Sequence, residues 1–555
     1  FFVPDPLPVS SPSEHVNASW DAIVVGSGAS GGVAAMTLAE GGARVLVLEA
    51  GPDLSRAVAF GTPVGNMLRR LAGISSGRHR RQAQHPGYWK ANPELYADER
   101  RHPYEHPVER PFLWTRGWQV GGRSLTWGGI TLRLSDEDFA GIRSKEGVIR
   151  WPIGFADLEQ HYSDLERQLG VFGARDGLAQ LPDGVMSDAL PSTDAELRFA
   201  EAVRERLGHA VIQSRGFAPH APQRTDDWPA SSSRGSTLQR AIATGRVEVM
   251  ADQMVERLCL SADASTATAV LAVDQTNGER RTLSADLVIL CASTIQTLSI
   301  LLRTRQFSSG GAAVDPSGRL GTRLMDHVST SQFFAMPGSG ERPQPPLSGA
   351  GSFFLPFGRH LSQASFQGGY GLWGGIGRFD PPTWLQRRPG TVTGFLIGHG
   401  EGEPRLENRV TLSDTTDRWG VTVPHIDCRW GESERAMVTH MQRTMAECIE
   451  AADGQALEIR ELFHLPFVEP LLGGAVALSK QAAPPGYYIH EVGGAAMGKQ
   501  ASESVVDPDN RLWGCRNVLV VDGACWPTSA WQSPTLTMMA IARRACSRAI
   551  GSRGC

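Results

Sequence analysis

The eight cysteines of this 555-residue chain, at 259, 291, 428, 448, 515, 525, 546 and 555, include no C-x-x-C pair. That argues against structural zinc and iron–sulfur centres, so no metal-binding residues are expected. C-x-x-C-H is missing too, which excludes an attached c-type haem. A chain of this length needs no disulfide framework, so most of the cysteines read as buried thiols. Basic charge is not in excess: 54 Lys and Arg stand against 58 Asp and Glu, a net charge of −4. Nucleic-acid binding is therefore not expected. No apolar run is long enough to span a bilayer, which predicts no transmembrane segment. A signal-peptide pattern is also missing, but the chain starts at Phe1 rather than Met, and a removed leader is compatible with that. A composition of 41% hydrophobic and 20% charged residues is that of a soluble globular protein, and leaves cytoplasm and periplasm open. No internal repeat is present.

What is there begins at residues 21–52, DAIVVGSGASGGVAAMTLAEGGARVLVLEAGP. Ala22 to Val25 reads as a buried parallel strand. Gly26, Gly28 and Gly31 then fit G-x-G-x-x-G, with Ser30 inside the motif. The first glycine allows a tight turn, the second lets a pyrophosphate approach, and the third lets the next helix pack closely. A helix with small residues follows, then a second apolar strand ending at Glu49. That acid lies 23 residues after Gly26, near the spacing at which a carboxylate accepts hydrogen bonds from a ribose. It disfavours NADP. The motif alone does not separate NAD from FAD.

Length suggests two or more domains. Residues 1–19 read as an N-terminal tail. Residues 53–105 mix Arg, Gly and Pro without clear periodicity. Their stretch RRLAGISSGRHRRQ (69–82) reads as a solvated loop or lid, or as a basic docking patch for an acidic electron acceptor. Strands are predicted at 246–251, 285–292 and 517–523, and helices at 294–304, 433–452 and 534–550. Residues 330–480, including NRVTLSD (408–414) and WGVTVPHIDCRW (419–430), read as a largely antiparallel sheet. The fold class predicted is α/β (α+β overall). A discontinuous Rossmann-like nucleotide domain (20–140, 225–330 and 485–555) would surround a substrate domain (141–224 and 331–484).

Four segments in order carry a resemblance. They are the stretch ending VLVLEAGP, then GWQVGGRSLTWGG (117–129), then ADLVILCASTIQTLSILL (285–302) with GRLGTRLMDH (318–327), and last HEVGGAAMGKQ to SPTLTMMAIARRA (490–545). Together they resemble the glucose–methanol–choline (GMC) oxidoreductase family. Residues 151–173 and 402–427 are closest in texture to its bacterial sugar and polyol dehydrogenases, with pyranose and C-glycoside oxidases as relatives. The resemblance implies FAD as redox cofactor and an alcohol or sugar as substrate.

It also implies the site. His490 stands where the family places its catalytic base, a role that suits the pKa of imidazole. His327, the other landmark histidine, is expected to be structural. Where the family usually has His or Asn before Pro-Thr-Leu-Thr, this chain has Ser533, preceded by Gln532. Ser533 or Gln532 is expected to hold the alcohol, or another side chain takes over, or redox chemistry on alcohols is impaired or replaced. Ser533 and Pro534 also suit the start of a helix running on through Thr535. Asp522 and Gly523 are expected near the ribityl and pyrophosphate. Gly122, Ser124, Trp127, Gly128 and Gly129 are expected at the isoalloxazine, and Val255 at the adenine through its main chain. Relatives that tether FAD carry His where this chain has Thr126, so the FAD is expected to be non-covalent. Ala496 replaces a frequent Arg.

The leading expectation is oxidation of a CH–OH group of a sugar or glycoside. Three others stay open: oxidation of a non-sugar alcohol in natural-product tailoring, a non-redox flavin-containing lyase, and a flavin-binding subunit without catalysis. The electron acceptor, whether oxygen, quinone or cytochrome, is not encoded in any local motif.

Overall fold

The structure, a computed structural model, describes residues 20–551 apart from 146, 220–226, 339–346, 362, 364, 379–386, 389 and 463–481. The expected tail at 1–19 lies outside the described residues. Five strands lie parallel in the order Cys515–Val520, Arg280–Leu290, Trp20–Val25, Val45–Leu48 and Val247–Met250. Their runs are apolar because both faces of the sheet are covered. Ile23 pairs with Leu46 on one side and Val288 on the other, and all three are fully buried. Helices Ala29–Glu40 and Thr535–Gly551 pack on each other beside this sheet. Gly31 sits where a Cβ would come 1.9 Å from the Gly26 carbonyl oxygen, so only glycine permits this approach of helix to turn. Gln253–Leu260 and Ala267–Asp274 extend the sheet antiparallel beyond Arg280–Leu290.

A second sheet of six strands is antiparallel throughout. Its order is Gln455–Leu457, Val328–Pro337, Thr391–Gly400, Tyr370–Ile376, Phe353–Gly358 and Ile212–Gln213. One face packs on helices Asp194–Leu207 and Glu432–Ala451. The second helix lays Met437, Met441, Met445 and Cys448 along one stripe, at spacings of three and four residues. Phe199, Phe334, Leu372 and Leu396 fill the same core. The opposite face of this sheet turns to the cavity described below.

Two expectations need correction. Arg409–Thr416 and Thr422–Asp427 form a separate two-stranded ribbon rather than joining the six-stranded sheet. The reason is packing: Val410 and Ile426 bury against the core of the parallel sheet. Within 53–105, Pro63–Ser75 is a helix, with Thr62 accepting the Gly65 N–H and Pro63 in the first turn. Its Val64 and Leu68 are 73% and 63% exposed, so its apolar spacing does not report burial. All seven cysteines described are unpaired, and six of them are buried.

Candidate active site

A cavity of about 1300 Å³ lies between the two sheets. The first parallel strand delivers Gly26, Gly28 and Ser30 to its wall, the second delivers Glu49, and the antiparallel extension delivers Val255. Gly122, Ser124, Trp127, Gly128 and Gly129 line it from one loop, and Asp522 and Gly523 from another. His490, Ser533, Pro534 and Thr535 complete the wall. Gly31 and Gln532 are not on it. Gly31 faces the Gly26 turn. Gln532 turns the other way, and its side-chain amide donates to Asp138 at 2.7 Å.

Three features fit a dinucleotide. The volume exceeds the roughly 300–1,000 Å³ of ordinary ligand pockets. A Cβ at Gly28 or Gly128 would meet nothing within 4 Å, so the backbone there lies open to the cavity. Helices starting at Ala29, Thr294 and Thr535 all bring their first residues to the wall, and the first two lack a side-chain cap at the N-terminus. Uncapped N–H groups and the positive dipole end suit phosphate and other anionic groups. Glu49 is held by the Ser27 and Gly51 amides, at 3.1 and 3.0 Å. Burial raises its pKa, against the pull of these bonds.

His490 lies in a cluster of imidazoles at the cavity wall. The His327 Nε2 contacts the carbonyl of Ala530. A carbonyl only accepts, so Nε2 carries the proton. Burial lowers the His327 pKa to about 4, so the ring is neutral and its Nδ1 is bare. That Nδ1 lies 3.0 Å from the Nδ1 of His490, which must therefore be the donor. The His490 pKa is pushed well below the ordinary value, first by burial and then by His327, His399, Arg123 and His85. A neutral His490 with its proton on Nδ1 has a lone pair on Nε2, and this atom makes no hydrogen bond to the described residues. His327 meets His490 edge-on at 4.8 Å and 81°, and His399 stacks on His327 at 5.2 Å and 14°. Tyr488 closes the cluster, edge-on to His490 at 4.9 Å.

The backbone is held equally tightly. Asp326 accepts N–H groups from Gly486 and Tyr488 on one carboxylate oxygen, and from His490 on the other, at 2.9, 3.3 and 2.9 Å. Between the last two lies Ile489 at φ +60°, a conformation that a β-branched residue avoids. Burial and then Glu491 raise the Asp326 pKa, while the amides of His490, His327 and Gly486 pull it down. Arg123 ties the other side, donating to the Ile489 carbonyl at 2.9 Å and to Glu491 at 2.8 Å. Sequence reasoning missed Asp326, Tyr488, His399 and Arg123. The segments GRLGTRLMDH and GGRS contained two of them, but spacing gives no register between residues 326–327 and 486–490. The hydroxyl of Ser533 borders the cavity without a hydrogen bond to the described residues. Gly493, at φ +92°, could not carry a side chain, because a Cβ would lie 2.2 Å from the Arg323 carbonyl oxygen.

Among the described residues no helix is long and apolar enough to cross a membrane, and no cluster of three metal-ligating side chains occurs. Comparison with known proteins places the chain. Residues 20–329 and 404–542 match two family descriptions, both of GMC oxidoreductases. Paromamine 6'-oxidase of Streptomyces fradiae is 26% identical, over 96% of this chain and 91% of its own. C-glycoside 3-oxidase of Microbacterium trichothecenolyticum is 24% identical, over 95% of this chain and 96% of its own. The crystal structure of pyridoxine 4-oxidase from Mesorbium loti shares the fold with a TM-score of 0.60 at 18% identity, over 95% of this chain and 99% of that one. With matches reaching from the first parallel strand to the C-terminal helix, the protein is a member of the GMC oxidoreductase family, flavoproteins that oxidise alcohol groups.

Proposed function

We propose that the protein oxidises a CH–OH group of a sugar or glycoside, with non-covalently bound FAD and with His490 as general base. One observation carries the reading: the Nε2 of His490 is bare, faces no described partner and belongs to a residue on the cavity wall. FAD, when bound, supplies the hydride acceptor at its flavin N5. The residues do the rest. Nε2 accepts the hydroxyl proton as the carbon gives up its hydride. The Nδ1 proton stays directed at His327, which keeps the ring oriented through the step. Ser533 gives or takes one hydrogen bond at the hydroxyl, over a shorter reach than Asn would have. The helix Thr535–Gly551 aims its positive end into the cavity, where negative charge develops. Gly26, Gly28, Ser30, Glu49, Val255, Asp522 and Gly523 would hold the dinucleotide, and Gly122, Ser124 and Trp127 to Gly129 its ring system. Thr126, whose hydroxyl donates to the Arg123 carbonyl at 3.3 Å, offers no imidazole for a tether.

The test is anaerobic titration of the purified holoprotein with sugars, glycosides and simple alcohols. Reduction is followed by loss of flavin absorbance at roughly 450 nm, a property of the cofactor itself. Bleaching by sugars or glycosides is expected. A flavin that only simple alcohols bleach would assign the protein to non-sugar alcohols. A bound flavin that no panel member bleaches would contradict alcohol oxidation and favour non-redox chemistry. Admitting air afterwards shows whether oxygen is the acceptor.

A further inference from the structure

This inference rests on the reading above, that a CH–OH group is oxidised beside His490. Three strands of the antiparallel sheet, Val328–Pro337, Thr391–Gly400 and Tyr370–Ile376, present one face to the cavity. Their register sets out three rows. Ser329 pairs with His399, and His399 with Gly371. Ser331 pairs with Ile397, and Ile397 with Trp373. Phe333 pairs with Phe395, and Phe395 with Gly375. Alternate residues of a strand share a face, so the rows lie side by side on the same surface. His399 stacks on His327, which in turn meets His490, so the first row lies one imidazole away from His490. Each later row is two residues further along, about 7 Å.

The rows differ in chemistry. The first is polar, with Ser329 and His399. The second and third contribute Trp373, Ile397, Phe333 and Phe395 to the cavity wall. The Trp373 indole N–H is already donated to the Ser352 hydroxyl at 2.9 Å. Its ring therefore offers the cavity apolar surface and no donor. Phe395 stands edge-on to it at 5.0 Å and 67°. A Cβ at Gly375 would lie 3.0 Å from the Leu347 side chain and 3.2 Å from the Phe395 ring, so Leu347 packs over the third row there and adds an apolar side chain to the wall. Arg378, at the edge, has its guanidinium on both oxygens of Glu196 at 2.7 Å each. Its charge is thereby neutralised within the protein.

We propose that the outer two rows are a subsite for an aromatic group carried by the substrate, and that the natural substrate is an aryl glycoside or an alcohol of equivalent layout. The CH–OH group would sit over the polar row beside His490 and Ser533. The aromatic ring would pack against Trp373 and Phe395, stacked on one and edge-on to the other, about 7 to 14 Å further out. A bare monosaccharide reaches only the first row.

The test compares matched pairs: the phenyl and methyl β-D-glucopyranosides, galactopyranosides and xylopyranosides, mixed anaerobically with the holoprotein. Two Kd values come from each pair, one from the substrate dependence of flavin bleaching and one from perturbation of the oxidised flavin spectrum. The second needs no chemistry. The expected result is that the phenyl member binds about 10- to 100-fold more tightly in at least one pair, as burial of an aromatic ring supplies. Trp373→Leu and Phe395→Leu should each shrink that ratio at least about threefold, which is the scale of aromatic pairing beyond burial alone. Melting temperature and flavin content verify their folding. If no phenyl member binds more tightly than its methyl partner in the unaltered protein, the subsite is refuted, whatever the variants do. Bleaching by both members with equal Kd would leave alcohol oxidation standing and remove only the subsite.

Discussion

His490 and His327 meet Nδ1 to Nδ1 at 3.0 Å. Two like atoms at this distance form a hydrogen bond only when one of them carries a proton. The carbonyl of Ala530 determines which one does, by occupying the far nitrogen of His327. A chain from a carbonyl oxygen through two imidazoles thus leaves a lone pair on the cavity side. In the proposed function His327 is a positioning residue, since it touches His490 and not the substrate.

Substitution at His327 should separate orientation from packing. In His327→Asn the amide oxygen can stand near the lost Nδ1 and accept from His490. In His327→Ala nothing accepts there, and His490 is free to adopt the other tautomer. Flavin reduction by substrate should slow about 10- to 100-fold in His327→Ala, as when a buried group loses its partner, and by less in the Asn variant. Substrate Kd should change little in either. Equal losses in both variants would point to packing alone.

The acid limb of flavin reduction should lie below the ordinary histidine pKa of 6.5. His490 has its pKa lowered in the folded protein, by burial first and then by the cations and imidazoles around it. Only the neutral ring accepts a proton. A lowered pKa therefore keeps the base available as pH falls through 6.5 and removes it only further down. A pH–rate profile for the reductive step tests this. An acid limb at or above 6.5 would contradict it.

Asp326→Asn should destabilise the protein by about 1–3 kcal/mol, because an amide NH2 would replace an acceptor that now faces a buried N–H. One carboxylate oxygen serves Gly486 and Tyr488 and the other serves His490, so Asn cannot satisfy both sides. The flavin reduction rate should fall together with the melting temperature, since the same bonds hold Ile489 and His490 in place. A melting temperature unchanged in this variant would show that the carboxylate is not the clamp.

Ser533 and Gln532 are neighbours in sequence and should behave oppositely. Ser533→Ala removes one neutral hydrogen bond at the substrate, which predicts about a 3- to 10-fold loss in kcat/KM with little change in stability. Gln532→Ala removes one of three donors to Asp138, whose carboxyl keeps the backbone N–H and hydroxyl of Ser135 and is raised to about 6 by burial and then by Glu401. It should lower stability by about 0.5–1.5 kcal/mol and leave kcat/KM within about threefold. Steady-state kinetics beside thermal melts distinguish the two.

Much of this was legible in the sequence for physical reasons. A parallel strand buried on both faces leaves a continuous apolar run, and a close helix–strand approach leaves a glycine at Gly31. Gly26, Gly28 and Glu49 followed from such local constraints, whereas Gly122 to Gly129, Val255, Asp522 and Gly523 were expected from the family resemblance. Contacts between distant segments were not legible. Nothing in LMDH or in GYYIHE shows that Asp326 gathers the amides of 486–490, or that His327 sets the tautomer of His490. Gln532 looked as suitable as Ser533 because a sequence does not say which way a side chain turns at a helix start. The helix Pro63–Ser75 was legible and was missed: Val64, Met67, Leu68 and Leu71 recur at spacings of three and four residues, although the fold leaves all four exposed. The Arg409–Asp427 ribbon had the right strand pattern, but which core it joins depends on packing against Val410 and Ile426.

The most direct test of the central claim is rapid mixing of the holoprotein with its best alcohol under anaerobic conditions, for the unaltered protein and for His490→Ala. Removal of a general base predicts a loss of about 10²- to 10⁴-fold in the rate of flavin bleaching, with flavin content and substrate Kd retained. A His490→Ala variant that bleaches at the unaltered rate would contradict the assignment of His490 as the base.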